Sequence, residues 1–514
     1  MKNVKKGKLG MLLVSTLLLG ACASNTTDKT DSTSSKEESL EIVTTFYPMY
    51  DFTKNIVGDE ANVELLIPAG TEAHDYEPSA KDIANIQQAD AFVYNNENME
   101  MWVPSLEESL KDGDVNVIKA TEGMLLLPGS EDDHDHDHGH GEERHSHELD
   151  PHVWISPYRA IQEVESIRDQ LIAAYPDKKE AFTTNAEKYL TKLSTLDESY
   201  QEAFEQAKQK SFVTQHAAFG YLALDYGLTQ VSIAGLSPDE EPSPARLAEL
   251  KEFVDEHGVK YIYFEENAND AIARTLADEA KVDLEVLNPL EGLTKEAIDN
   301  GEDYVSVMEQ NLVALRKTTD TENPKEETAK AEKEKTVYNG YFEDNDVKDR
   351  PLSDWSGEWQ SVYPLLEDGS LDQVFDYKAK LDPSQTKEEY KEYYTVGYQT
   401  DVKEITITDD TMEFIFDDNS SEKATYRYAG KEILNYKAGN RGVRFLFEAT
   451  DPDTKAFKYV QFSDHSISPT KAAHFHIYFG NDSQEALLEE VDNWPTYYRT
   501  DLSATEIAQE MLAH

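Results

Sequence analysis

Residues 318–337, "TTDTENPKEETAKAEKEKTV", carry almost no large apolar side chain, and the chain reads differently on either side of them. A stretch of that composition cannot bury enough surface to join a core, so it reads as a charged linker. The chain must therefore fold as separate domains, a division that 514 residues accommodate.

Before the linker, the pattern alternates strand and helix. "LEIVTTFYPMYDF" and "ANVELLIP" read as strands leading into loops and helices, and "DIANIQQADAFVYN" as a helix feeding a strand. Residues 159–209 read as helices with a break near Pro176. The part 177–209 sets Phe182, Tyr189, Leu193, Leu196, Tyr200 and Phe204 at mostly three- or four-residue spacing. A helix of that length spans roughly 50 Å, the height of a two-lobed molecule. "KSFVTQHAAF", "GLTQVSIAG", "VKYIYFEEN" and "VDLEVLNPL" then supply the strands of a second α/β lobe.

After the linker, aromatic residues become frequent and short alternating runs are separated by turn signals, from "VKEITITDD" to "AHFHIYFGND". This predicts a mainly antiparallel meander, closed as a small barrel or sandwich, with a final helix over 503–513. The two halves do not repeat one another.

The first residues are a processing signal. Lys2, Lys5, Lys6 and Lys8 precede an apolar run too short to span a membrane, which takes about 20 residues. The run ends in Leu19-Gly20-Ala21-Cys22, which resembles a bacterial lipobox. The resemblance implies removal of residues 1–21, a lipid on Cys22, and a protein held at the outer face of the cell membrane. Residues 22–39 then form the anchored tether, whose flexible part reaches roughly 20–25 Å. Cys22 is the only cysteine. Carrying lipid, it leaves neither disulfides nor thiolate ligands, so any metal site must be built from His, Asp or Glu.

Lys and Arg total 48 against 102 Asp and Glu, a net charge of −54. Loss of residues 1–21 removes four lysines and no acids, which takes −54 to −58. Such a surface repels phosphate backbones, and nucleic acid is excluded as a partner.

Six of the fourteen histidines, His134, His136, His138, His140, His145 and His147, crowd the loop 131–149. The loop has no apolar period, and ordering it to chelate costs entropy, so its sites should be weak and fast-exchanging. It reads as a low-affinity metal-gathering or gating loop, or else as a dispensable solvated segment. His514 ends the chain, and His257, before Gly258, reads as a helix-end histidine. Three lone histidines remain in each half.

"AGTEAHDYEPS", "LDPHVWISP" and "FVTQHAAFG" each put one histidine at a strand end or a loop opening a helix, where ligand sites of α/β sheets gather. Over about residues 40–317 these motifs resemble the metal-binding class of solute-binding proteins that serve zinc and manganese ABC importers. The resemblance implies His74, His152 and His216 as ligands, with an acid after an Asn-Pro pair as the fourth. In "LNPLEG" that acid is Glu291; Glu265, Glu266 and Glu77 are further candidates. Three imidazoles and one carboxylate favour Zn²⁺ over manganese, the alternative metal.

In "AAHFHIYFG", Ala473, Phe475, Ile477 and Phe479 fall on one strand face, and His474, His476 and Tyr478 on the other. His465, nine residues before His474, can return across a turn to complete a trio. "WSGEWQSVYP", "SDHSISPTKAAHFHIYFG" and "NWPTYYRTD" resemble the ZinT family over about residues 338–514. That resemblance implies a lipocalin-like barrel and a second zinc site of His465, His474 and His476. Tyr341, Trp355 and Trp359 read as core or barrel-mouth packing.

The whole chain resembles the Gram-positive zinc-uptake lipoproteins, which fuse these two domains. The resemblance implies an extracellular, lipid-anchored, monomeric Zn²⁺-binding protein that delivers zinc to an ABC importer and is not an enzyme. No phosphate loop and no multi-span hydropathy occur, so the permease and ATPase are separate chains. Two other readings stand beside it: a zinc-dependent hydrolase or hydratase at the trihistidine site, and a surface adhesin.

Overall fold

The computed structural model describes residues 39–512, apart from 72, 112, 130–148, 239–241, 266–269, 323–334, 437–438 and 491. The signal segment, Cys22, nearly all of the tether, the six loop histidines, Glu266, His514 and most of the linker lie outside the described residues.

Two small parallel sheets form the first half. Strands β1 (Leu40–Thr44), β2 (Ala61–Leu65), β3 (Ala91–Tyr94) and β4 (Asn116–Lys119) lie in the order β2-β1-β3-β4. Strands β5 (Ser211–Thr214), β6 (Thr229–Ser232), β7 (Tyr261–Phe264) and β8 (Asp283–Val286) repeat that arrangement as β6-β5-β7-β8. Inner strands β3, AFVY, and β5, SFVT, are buried along their whole length, as continuous burial on both faces demands of a parallel sheet.

The connecting helix, Lys179–Phe204, buries Phe182, Ala186, Tyr189, Leu193, Leu196, Tyr200 and Phe204 on one stripe. Its Tyr189 hydroxyl donates to Asp51 Oδ2 at 2.6 Å in the first lobe, and its Tyr200 hydroxyl to Met308 O at 2.7 Å in the second. One helix thus ties both lobes. Its 26 residues span about 39 Å, shorter than the sequence suggests. Pro176 starts a separate turn, Pro176–Lys178, at one end. At the other, Lys208 N–H donates to Thr319 O at 2.9 Å and directs the chain into β5.

The second half is a closed antiparallel barrel of β9 (Gly357–Ser361), β10 (Val402–Ile407), β11 (Thr411–Phe416), β12 (Ser421–Asn435), β13 (Arg441–Ala449), β14 (Tyr459–Ser463), β15 (His474–Gly480) and β16 (Thr496–Arg499). β9 closes it by pairing with both β10 and β16. The barrel bends where β12 bulges at Gly430, whose φ of 128° suits glycine alone. Trp355, Trp359, Phe414, Phe445, Phe462, Phe475 and Ile477 fill the apolar interior.

Three helices between β9 and β10, Tyr363–Glu367, Asp372–Leu381 and Lys387–Tyr398, depart from the expected strand meander. Their start signals are local: Pro364 opens the first, and Thr386 with Glu389 forms a capping box on the third.

These helices and the last one, Ala504–Leu512, join the halves. Leu125, Leu126, Val153 and Tyr221 share one apolar cluster with Val374, Phe375, Tyr377, Tyr498, Ile507 and Met511. Polar contacts frame it. Tyr377 OH donates to Leu125 O at 2.7 Å, Gln509 exchanges two bonds with the Leu126 backbone, and Lys380 Nζ lies 2.9 Å from Asp225. Arg159, bidentate to Asp225, stacks 4.2 Å from the Tyr377 ring.

Candidate metal centres

The first lobe pair delivers its chemistry from the ends of its strands. His74 lies in the loop between β2 and the helix Ala80–Gln88, His216 just after β5, and Glu291 in the loop after β8. His152 stands immediately before the turn Val153–Ile155. Glu291 is aimed by the Asn-Pro pair before it. The Asn288 side chain accepts the Leu290 N–H at 2.8 Å, while Asn311 brackets the Asn288 backbone with bonds of 2.9 and 2.7 Å. Leu290 takes a φ of 58°, a strain its complete burial sustains.

The four side chains converge. Glu291 Oε1 lies 3.1 Å from His216 Nε2, 3.4 Å from His152 Nε2 and 3.5 Å from His74 Nε2. His74 and His152 bring their Nε2 atoms to 3.1 Å. Ligands held about 2.0–2.1 Å from a tetrahedral zinc stand about 3.3 Å apart, so these separations match a zinc-sized cavity. His152 and His216 are fully buried, and Glu291 nearly so.

Carboxylates behind the rings fix their tautomers. Asp150 Oδ1 accepts from His152 Nδ1 at 2.8 Å, and Glu265 Oε1 pairs with His216 Nδ1. Each ring donates from Nδ1 and turns the Nε2 lone pair inward. Burial disfavours the charged form of both rings, but Asp150 and Glu291 raise the His152 pKa above its ordinary value. Glu265 and Glu291 raise that of His216 well above it, again against desolvation. Burial works against the Glu291 carboxylate too, yet His74 and His216 hold its pKa well below the usual range. An electron-rich N₃O pocket of this kind suits a dication.

Of the other acids considered, Glu265 sits behind His216 rather than among the four. Glu77 is exposed and outside the cluster. Asp150 is absent from the sequence reading, although its place in "DPH" was the available signal.

Pro128 and Leu149 form an isolated bridge, and Asp150 N–H donates to Leu127 O at 2.8 Å, which joins the two ends of residues 130–148. His257 ends its helix before Gly258, whose φ is 63°, and stacks on Phe253 at 4.3 Å.

The second trio lies on the barrel wall. Phe475 and Ile477 point into the apolar interior, so His474 and His476 project from the opposite face of β15. His465 returns from the turn after β14, and the three ring centroids form a near-equilateral triangle with sides of 5.9, 5.8 and 6.0 Å. One nitrogen of each lies within 4.8 Å of the others. Thr496, opposite His476 in the ladder, donates its hydroxyl to Trp494 O at 3.0 Å. Its oxygen therefore accepts from His476 Nδ1 at 2.7 Å, leaving Nε2 for a metal. Two tyrosines, which the sequence places with the packing aromatics, stack on this trio: Tyr338 on His465, and Tyr498 on His474. Trp355 and Trp359 are interior packing.

Comparison with known proteins runs along the same division. The family described as "Zinc-uptake complex component A periplasmic" matches residues 42–318, and the one described as "ZinT (YodA) periplasmic lipocalin-like zinc-recruitment" matches residues 333–514. The zinc-binding lipoprotein AdcA of Streptococcus pneumoniae is 64% identical over 507 residues, which cover 99% of this chain and 100% of that one. The high-affinity zinc uptake system protein ZnuA of Bacillus subtilis is 54% identical over 300 residues, 58% of this chain and 93% of its own. The crystal structure of Zn(II)-bound AdcA from Streptococcus pneumoniae superposes with a TM-score of 0.84, at 64% identity, covering 93% of this chain and 100% of that one. These relatives are named for zinc binding and uptake, not for catalysis.

Proposed function

Because the chain belongs to the zinc-uptake component A family, with a ZinT-type domain behind it, and is a zinc-binding solute-binding protein of an ABC importer, we propose how it captures and hands over its cargo. His74, His152, His216 and Glu291 hold one Zn²⁺, and His465, His474 and His476 hold a second. What carries this reading is the convergence of four ligand atoms at tetrahedral spacing, three of them imidazole and three from buried residues.

Capture at the first centre draws on both lobes, since His74 and His152 flank the first sheet while His216 and Glu291 follow β5 and β8. Relative movement of the lobes on the permease separates these ligands and releases zinc. The second centre gathers zinc for the first or supplements it. The histidines of loop 131–149 collect zinc more weakly than the first centre does. Cys22 carries the lipid that holds the monomeric protein at the outer face of a Gram-positive membrane, next to a separate permease and ATPase.

Labelled-zinc uptake by cells tests this. Replacing His74, His152 and His216 by alanine should abolish uptake at scarce zinc, and deleting residues 338–514 should slow it. Full uptake by the triple variant would refute the reading.

A further inference from the structure

Of the three histidines on the barrel wall, His474 is buried and His476 half-buried, whereas His465 is exposed. His465 is also the only one of the three with a positive φ, 62°, a conformation that a bulky side chain adopts at a cost. An exposed and strained ligand needs an external hold. The turn beneath it is well fixed: the buried Arg350 guanidinium donates to Asp464 Oδ1 at 2.6 Å and to Thr470 O at 2.8 Å. Asp464 in turn accepts the Ser466 N–H at 3.2 Å, and Lys348 N–H donates to Ile467 O at 2.8 Å. These bonds fix the backbone of the turn.

The imidazole is covered by Tyr338. The two rings stack at 4.6 Å between centroids with planes 21° apart. Tyr338 belongs to the first described turn after the charged linker, and that turn is pinned to the barrel where Arg441 N–H donates to Gly340 O at 2.9 Å. Tyr498 stacks on His474 at 5.0 Å and 18°. Two rings of the trio thus each lie against an aromatic face. The Tyr498 face comes from a barrel strand, and the Tyr338 face from the end of the linker.

We propose that Tyr338 is a positioning residue of the second zinc site, holding the His465 ring in its ligating orientation by stacking on it. The inference rests on the reading that His465, His474 and His476 bind zinc. Tyr338 touches no metal; it acts through His465. A flat contact of this kind is worth enough to alter zinc release by about two- to tenfold.

The test is the rate of zinc release from the full-length chain, loaded with two equivalents of Zn²⁺ and mixed with excess chelator. The phase that His474→Ala removes belongs to the second site. Tyr338→Ala should speed that phase about fivefold and leave the other unchanged, while Tyr338→Phe, which keeps the ring, should restore the original rate. With Co²⁺ in place of zinc, Tyr338→Ala should weaken the visible absorption of a tetrahedral site and Tyr338→Phe should preserve it. Tyr338→Leu, which keeps apolar bulk, should behave as alanine does, and it serves if the alanine chain misfolds. Unchanged release and spectra in the alanine or leucine variant overturn the inference while the site reading stands. A parent chain without any His474-dependent phase overturns both.

Discussion

Asp150 Oδ1 accepts two bonds from one residue: the backbone N–H of His152 at 2.9 Å and its ring Nδ1–H at 2.8 Å. The bonds orient the imidazole and fix its tautomer before zinc arrives. Asp150→Asn should therefore weaken zinc at the first centre by about 10- to 100-fold, with the second unchanged. Competition with a chromophoric chelator measures this, and undiminished affinity would count against the role given to Asp150.

Zinc binding at the first centre should depend on pH above the ordinary imidazole value of about 6.5. Burial opposes charge on His152 and His216, yet both protonate more readily than usual, because Asp150, Glu265 and Glu291 face them. In the zinc-free chain these protonated rings favour the fold at low pH, and that contribution fades as pH rises through the raised values. Zinc must displace the same protons, so its affinity runs the other way, still climbing above pH about 6.5 and levelling only once both rings are neutral. A dissociation constant that is flat above that pH would contradict this.

Glu163 is completely buried on the helix Pro157–Ala174, and neither carboxylate oxygen has a hydrogen-bond partner among the described residues. Burial, and the charge of Glu100 beside it, push its pKa well above the usual carboxylate range. Glu163→Leu removes an unsatisfied polar group and should stabilise the chain by roughly 1–3 kcal/mol at neutral pH. Chemical denaturation reads this directly. A loss of stability would assign Glu163 a partner that its surroundings do not supply.

The halves should unfold as coupled units. Tyr377 is buried where they meet, bonded to Leu125 O and covered by Arg159. Tyr377→Ala should cost roughly 3–5 kcal/mol and lower the transitions of both halves in calorimetry. A change confined to the barrel transition would show the interface to be energetically passive.

The sequence carried the α/β pattern, the strand meander and both histidine trios, because each is written in local periodicity or in short motifs around one ligand. Phe475 and Ile477 alternate with His474 and His476, so the two faces of β15 were legible before the buried face was known. Three features were less accessible. Barrel closure depends on β9 pairing with β10 and β16, contacts far apart in sequence. The junction between the halves rests on scattered residues such as Leu126 and Gln509, which carry no shared pattern. Tyr338 lies well over a hundred residues before the histidine it stacks on.

The proposed function requires two separate zinc centres in one chain. Calorimetric zinc titration of the full-length protein should give two tight sites, one lost when His74, His152 and His216 become alanine, the other when His474 and His476 do. A single site in the parent chain, or two sites surviving in either variant, would contradict it.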